Sequence, residues 1–305
     1  MKKILLSSAM MLICIAITFT ACKKENDTPP DDSGTQTQNG SDDSNFQTES
    51  DNAFSDADNA LSKNSTTQRI SAIPCGITSI DSTHADTLIL TYTNETSCNG
   101  LRKRDGSITL ALSPAGAKWS DAGVTLTMTF TNYKVTRISD NKSITFNGSA
   151  AITKLGSGTM FGLAINDSLQ HKIRSNNMQV TFDNGTTRPW SVARKRTTTR
   201  TGLLAWTVSI AGDTTIGGNT KVAAWGTNRN GNTFYSTIPT PILWNTSCLS
   251  GPMSGVRLIK GLDRELTITY GVDSSGNAVT SGCPLYYKLN WTNVKGEAKQ
   301  LVLHY

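Results

Sequence analysis

The feature that most constrains the fold of this chain is a two-residue alternation of apolar and polar positions, with threonine prominent among the polar ones, from Ile70 onward. It is clearest over residues 124–131, 266–270 and 285–292. Successive side chains of a strand point to opposite faces, so each run predicts a strand with one buried and one polar face. Turn signals separate the runs: Asp105-Gly106, Asn147-Gly148, Asn184-Gly185, Asn230-Gly231 and the cluster 273–276. The pattern predicts an all-β, antiparallel fold, either sandwich-like or one large curved sheet.

A helical period precedes the strands. Apolar residues recur at spacings of three, four and seven in Phe46, Ala53, Phe54, Ala57, Ala60 and Leu61. This predicts one amphipathic helix over residues 46–64, packed on the sheet, as the start of a β body over residues 46–305. Short strings at 94–98 and 245–248 are similar, which suggests two diverged halves, residues 70–170 and 171–305. Residues 22–45 contain almost no apolar side chain and predict a disordered acidic tether.

The N-terminus predicts export and lipidation. Lys2 and Lys3 precede an apolar run over residues 4–17, which is too short to span a bilayer stably, and small residues lead into Cys22. We interpret residues 1–21 as a lipoprotein signal peptide and Cys22 as the lipidated residue; an ordinary cleaved signal is the alternative. The expected location is the outer membrane, facing the cell surface or the periplasm, with membrane lipid as a partner through Cys22 and no nucleic-acid partner.

Four cysteines remain after the signal and Cys22: Cys75, Cys98, Cys248 and Cys283. An even number in an oxidising compartment favours disulfides over metal ligation. Of the three pairings we prefer the local ones, Cys75–Cys98 and Cys248–Cys283. No metal site is expected, because no CxxC pair is present and His84, His171 and His304 stand far apart.

Charge divides the chain in two. Residues 22–60 contain two basic and ten acidic residues, and residues 61–305 contain twenty-five basic and thirteen acidic ones. A basic body predicts attraction to anionic partners such as an acidic glycan or lipopolysaccharide. Plain solubility, with the basic side chains spread over solvent faces, is the alternative.

One basic segment stands out as a candidate ligand-binding site. If residues 191–199 form a strand, Arg194, Arg196 and Arg200 share a face, and Trp190 can stack beside them. Aromatic rings with arginines can hold a sugar or an anionic group. The alternative is an edge strand that its charges protect from aggregation.

Signatures of catalysis are missing from the sequence. It contains no Walker loop, no zincin motif and no phosphate-binding glycine loop after a strand, and its acidic residues are sparse. We therefore expect no catalytic residue, no cofactor and no enzymatic activity. The leading hypothesis is a binding or adhesion module for an extracellular glycan or another ligand. A structural or accessory envelope component with a protein partner is the alternative, and a hydrolase is the third hypothesis.

The stretch 98–108 matches the pattern C-x-G-x-x-x-R-x-G-x-I, and it is followed by Phe-Thr-Asn-Tyr-Lys-Val at 130–135 and Ile-Thr-Tyr-Gly at 268–271 before a cysteine. With the N-terminal helix, these residues resemble a family of uncharacterised all-β lipoproteins of the Bacteroidota. The resemblance spans about residues 46–305. It implies the fold and the location, and no activity.

Overall fold

The computed structural model describes residues 33–64, 76–83, 87–96, 100–248, 250–261 and 264–305. The predicted signal peptide, Cys22, residues 22–32 of the predicted tether and both members of the predicted Cys75–Cys98 pair lie outside these residues. The described chain has one long helix, α1 (Ser33–Asn64), and a 3-10 turn (Met160–Gly162). The strands are β1 (Ser79–Asp81), β2 (Thr87–Thr96), β3 (Arg102–Ser113), β4 (Thr125–Arg137), β5 (Ser143–Lys154), β6 (Ser168–Phe182), β7 (Thr187–Gly202), β8 (Ala205–Gly212), β9 (Thr214–Ile216), β10 (Asn219–Thr227), β11 (Thr233–Asn245), β12 (Ser254–Lys260), β13 (Leu266–Val272), β14 (Tyr286–Thr292) and β15 (Ala298–His304).

All fifteen strands belong to one antiparallel sheet, so the all-β prediction is confirmed. The sheet follows chain order from β1 to β7, continues through β10 and β11, and ends at β15. β7 is long enough to pair with β10 near Trp190 and with β8 from Arg194 onward, and β8 also pairs with β11. The two predicted halves are parts of this single sheet, within one compact unit of residues 31–305. A sequence duplication stays a prediction.

A line of β-bulges crosses neighbouring strands. Residues with positive φ stand at a register shift in five consecutive strands: Asn94, Gly106, Asn132, Gly148 and Asn177. Each bulge adds local twist and bends its strand. The prediction of turns at Asp105-Gly106 and Asn147-Gly148 is therefore wrong. Both glycines supply the positive φ of a bulge inside a strand, and a Cβ at Gly106 would collide with the backbone of Asn132.

Helix α1 lies within the curve of the sheet. No residue between Gln36 and Ser62 whose burial is described is exposed, and Phe46, Ala53 and Ala57 are fully buried. Gly40 allows a close approach to the sheet, because a Cβ there would press on Leu289 of β14. The helix begins at Ser33 rather than at residue 46, so the prediction of a disordered tether is wrong for residues 33–45. Several of their polar side chains find partners on the sheet or its turns, as do Asp43 with Arg257 and Asn39 with Asn228.

Two further observations on the described residues concern membrane-spanning helices and a disulfide. No described helix combines the length and the apolar character needed to cross a bilayer. Cys248 and Cys283 form a disulfide, as predicted, which joins the segment after β11 to the segment before β14.

Candidate functional site

Three of the four predicted ligand-binding residues of β7, Trp190, Arg194 and Arg196, face α1. Trp190 is 2% exposed, and its ring centroid lies 4.6 Å from that of Phe46. Arg194 is 1% exposed and donates to Gln47 and Ser50 of the helix at 2.6 and 2.8 Å. The cavity beside Arg194 is ≈ 20 Å³, which is room for about one water. These side chains therefore form no site that an external ligand could enter.

Arg196 and Arg200 also serve internal contacts. Arg196 is 6% exposed, donates to Ser55 of α1 at 3.2 Å and lies over the ring of Phe54. Arg200 is partly exposed, and its guanidinium binds three main-chain carbonyls of nearby loops. β7 pairs with strands on both sides over much of its length, so the alternative of a protected edge strand is also wrong.

Five sheet arginines pair with acidic residues of α1. The pairs are Arg102–Glu49, Arg104–Asp56, Arg194–Asp51, Arg229–Asp42 and Arg257–Asp43. They come from β3, β7, β12 and the turn after β10, so the helix is held from several sides. The acidic residues of α1 thus lie inside the basic body. Buried charges are tolerated only when they are paired and hydrogen-bonded.

Burial raises the pKa of two carboxyl groups of α1, those of Asp56 and Asp42. The pKa of Asp56 is raised, chiefly because burial disfavours its ionised form, although Arg104 at 2.6 Å opposes that effect. Asp42 behaves in the same way, with burial raising its pKa and Arg229 at 2.7 Å opposing the shift. The desolvation cost therefore outweighs the attraction at these two carboxyls.

Near the C-terminal end of α1 the interior holds a histidine whose ring nitrogens have no hydrogen-bond partner among the described residues. His171 is 1% exposed, stacks on Trp119 and touches the ring of Phe54 edge-on. Burial, followed by the nearby charges of Arg196 and Lys154, lowers its pKa to about 3. Lys154 itself is fully buried and donates to the carbonyls of Trp119 and Gly158. His171 is thus a packing residue.

The lowered pKa of His171 predicts a loss of stability in acid. The unfolded chain binds the imidazole proton below about pH 6.5, whereas the folded chain does not do so until about pH 3. The free energy of unfolding should therefore fall by about 1.4 kcal/mol per pH unit from this group as the pH drops below about 6. In His171→Phe, which keeps a ring but cannot titrate, the free energy of unfolding from urea titrations between about pH 4.5 and 6 should change with pH less steeply by that amount. Equal slopes in the two proteins would contradict the assignment.

The outer face of the sheet carries a polar cleft, here named the outer cleft. It has a volume of ≈ 300 Å³ and crosses β10, β11 and β12. Its lining residues are Gly218, Asn219, Thr220, Lys221, Thr237, Pro239, Leu258 and Lys260. That volume is at the lower end of the range for small-molecule sites.

Irregular strand geometry builds the outer cleft. Lys221 has a φ of 55°, which is uncommon for a residue with a Cβ, and the pairing of β10 shifts register against both β9 and β11. Gly212 of β8 leaves space for the backbone of β10 at Lys221, because a Cβ at position 212 would collide with the Lys221 carbonyl. The bulge aims the Lys221 ammonium across β11, where it donates to the Pro239 carbonyl at 3.0 Å.

Two ammonium groups give the outer cleft its charge. Lys260, from the outer face of β12, is 39% exposed at its side chain and lies 3.9 Å from Glu265, a loose contact. Thr220, Thr237 and Asn219 add hydroxyl and amide groups, and the described lining residues include no carboxylate. The arrangement can bind an anionic group through the lysines and ligand hydroxyls through the neutral side chains.

Sequence reasoning missed the outer cleft. Its two lysines stand thirty-nine positions apart and meet only because β10 and β12 flank β11. The available signal was local: Gly217-Gly218-Asn219 before Lys221 indicates irregular backbone. Among the described residues, no group of three or more His, Cys, Asp or Glu side chains is arranged to hold a metal ion.

Comparison with known proteins gives this chain no relative. No family model matches the sequence, and no curated protein and no solved structure matches the chain. The resemblance to Bacteroidota lipoproteins stays a prediction.

Proposed function

We propose that this chain is a lipid-anchored cell-envelope protein that binds an anionic, hydroxyl-rich ligand, such as an acidic glycan or the sugar-phosphate part of lipopolysaccharide, in the outer cleft. The observation that carries the proposal is the convergence of Lys221 and Lys260, from two different strands, in one cleft with neutral polar side chains. The role is binding without catalysis. The anchor is Cys22, and the location is the outer membrane, facing the surface or the periplasm.

Three properties of the outer cleft support this choice over the buried arginines. It is open to solvent, its described lining residues include no carboxylate, and its bulged backbone aims Lys221 across β11. By contrast, Arg194 and Arg257 of the inner face are already paired with acidic residues of α1. The outer cleft therefore offers positive charge that the helix does not neutralise.

The test is binding of polysaccharides to the purified chain without residues 1–22, which keeps the whole compact unit of residues 31–305. Isothermal titration with a uronic-acid polysaccharide, a sulfated polysaccharide and lipopolysaccharide should show binding, and neutral dextran should bind far more weakly. The variant Lys221→Asn, Lys260→Gln should lose about tenfold to a hundredfold in affinity, since each charged hydrogen bond contributes about 1 kcal/mol or more. Asparagine tolerates the positive φ at position 221.

Lys288→Gln is the matched control. Lys288 also lies on a strand and donates to a carbonyl, that of Gly276 at 3.0 Å, but it is outside the outer cleft. Its variant should bind as the unchanged protein does. Equal affinity for acidic and neutral polysaccharides, or an unaltered affinity in the double variant, would refute the proposal.

A further inference from the structure

The most exposed large apolar side chains of the described chain are Leu203 and Leu204, at 76% and 79%. They form the two-residue turn between β7 and β8. Phe161 and Ile165, in the connection between β5 and β6, are 45% and 55% exposed. We name residues 160–165 and 202–205 the apolar knob. Their sequences are Met-Phe-Gly-Leu-Ala-Ile and Gly-Leu-Leu-Ala, with no polar side chain.

Two side chains behind the apolar knob hold its two segments together. The Arg200 guanidinium donates to the carbonyls of Leu163, Leu203 and Gly202 at 2.6, 2.8 and 3.1 Å. The Trp206 indole donates to the Met160 carbonyl at 3.3 Å, and its ring meets Phe161 edge-on. The knob is therefore a preorganised surface.

The hydrogen bonds to the backbone carbonyls of the apolar knob indicate which environment the knob contacts. In water, exposed loop carbonyls need no protein donor, because solvent serves them. In hydrocarbon a carbonyl without a hydrogen bond costs several kcal/mol. The carbonyls of a loop that is buried there must therefore accept hydrogen bonds from the protein itself. Here four knob carbonyls receive donors from Arg200 and Trp206. Arginine and tryptophan are also the side chains that suit the level of the lipid headgroups.

We propose that the apolar knob inserts into a lipid bilayer, with Leu203, Leu204, Phe161 and Ile165 in the hydrocarbon and with Arg200 and Trp206 at the headgroup level. A protein partner fits less well, because protein interfaces use about one hydrogen bond per 100–200 Å² and the knob has no polar side chain to supply one. The 3-10 turn of the knob packs against α1. Asp58, in the last two turns of that helix, accepts a hydrogen bond from Trp119. Lys154 donates to the carbonyls of Trp119 and of Gly158, two residues before the knob, so the knob lies near the end of α1 opposite Ser33. Membrane contact there is separate from lipidation at Cys22.

The experiment is co-sedimentation of residues 23–305 with vesicles of phosphatidylcholine, and with vesicles that also contain phosphatidylglycerol. The protein should sediment with both, and binding should persist in high salt. Leu203→Asp, Leu204→Asp should lower the partition coefficient at least about tenfold, since each leucine loses its apolar transfer to the bilayer. Both positions are exposed, so tryptophan fluorescence and far-UV circular dichroism should show an unchanged fold.

Val294→Asp is the matched control, because Val294 is an apolar side chain, 43% exposed, in the turn between β14 and β15. Its variant should bind vesicles as the unchanged protein does. A second measurement tests whether the turn itself enters the bilayer. The fluorescence of the tryptophan introduced by Leu204→Trp should be quenched by lipids that carry a spin label in the acyl chain. The proposal fails if the protein stays in the supernatant or if only anionic vesicles bind it and salt releases it. It also fails if sedimentation velocity shows a dimer that the double aspartate variant dissociates, since a second copy would then cover the knob.

Discussion

Replacing Arg257 by methionine should lower the free energy of unfolding by about 3–5 kcal/mol. Arg257 projects from the inner face of β12 towards α1, where its Nε lies 3.2 Å from the Asp43 carboxylate. The two side chains are 1% and 2% exposed, so the pair is shielded from water. The variant leaves the Asp43 charge buried without its partner, and it also removes a hydrogen bond from Arg257 to Ser236 at 3.2 Å. Urea unfolding followed by tryptophan fluorescence measures the loss.

Two further variants separate this effect from a general loss of charge. Arg174→Met removes a pair with Asp213 whose side chains are 40% and 24% exposed, and it should cost less than about 1 kcal/mol. Combining Asp43→Leu with Arg257→Met removes both buried charges and should recover most of the stability. If Arg257→Met costs no more than Arg174→Met, the helix is not held by buried ion pairs.

Much of the sheet could be predicted because strand alternation is a local property. Leu126, Met128 and Phe130 are buried as their spacing predicted, and so are Leu266 and Ile268. The local pairing of Cys248 with Cys283 was also predictable from their position in the second half of the chain. The difference between a turn and a bulge at Asn147-Gly148 was not, since both use positive φ and only the neighbouring strands decide between them.

The alternation of residues along β7 already indicated that its arginines lie on the apolar face of the sheet. The interpretation of their charges as a ligand-binding site was preferred to that indication. Trp190, Val192, Arg194 and Arg196 alternate along β7, which places both arginines on the apolar face. Their partners on α1 are more than 140 positions away, as in the contact between Arg194 and Asp51. No local pattern reports such a pairing. The acidic helix and the basic sheet are complementary only once the sheet has curled.

Disorder was wrongly predicted for residues 33–45 for the same reason, because the partners of these residues are distant in the sequence. Their low apolar content predicts disorder, since a segment of this kind cannot repay the entropy of ordering by apolar burial alone. In the structure Asp42 and Asp43 are ordered by Arg229 and Arg257, and Asn39 accepts a hydrogen bond from Asn228 at 3.2 Å. The partners that stabilise this part of the helix lie near the C-terminal half of the sheet.

This placement of α1 predicts strong protection of its amides from hydrogen exchange. A helical amide exchanges when its hydrogen bond opens, and between Gln36 and Ser62 opening requires the helix to leave the sheet. That step breaks the arginine pairs and exposes Phe46 and Phe54, so its free energy should approach that of global unfolding. Residues 39–60 should therefore exchange at least about a thousandfold more slowly than unstructured chain.

The measurement that tests the account most directly is hydrogen–deuterium exchange of peptides covering residues 33–64 in the folded protein. We predict protection over residues 39–60 comparable to that of β4 and β5, and a loss of that protection in Arg257→Met. Exchange of residues 33–45 at the rate of unstructured chain, with protection beginning only near Phe46, would instead support a disordered acidic tether. That result would contradict the placement of the helix inside the sheet.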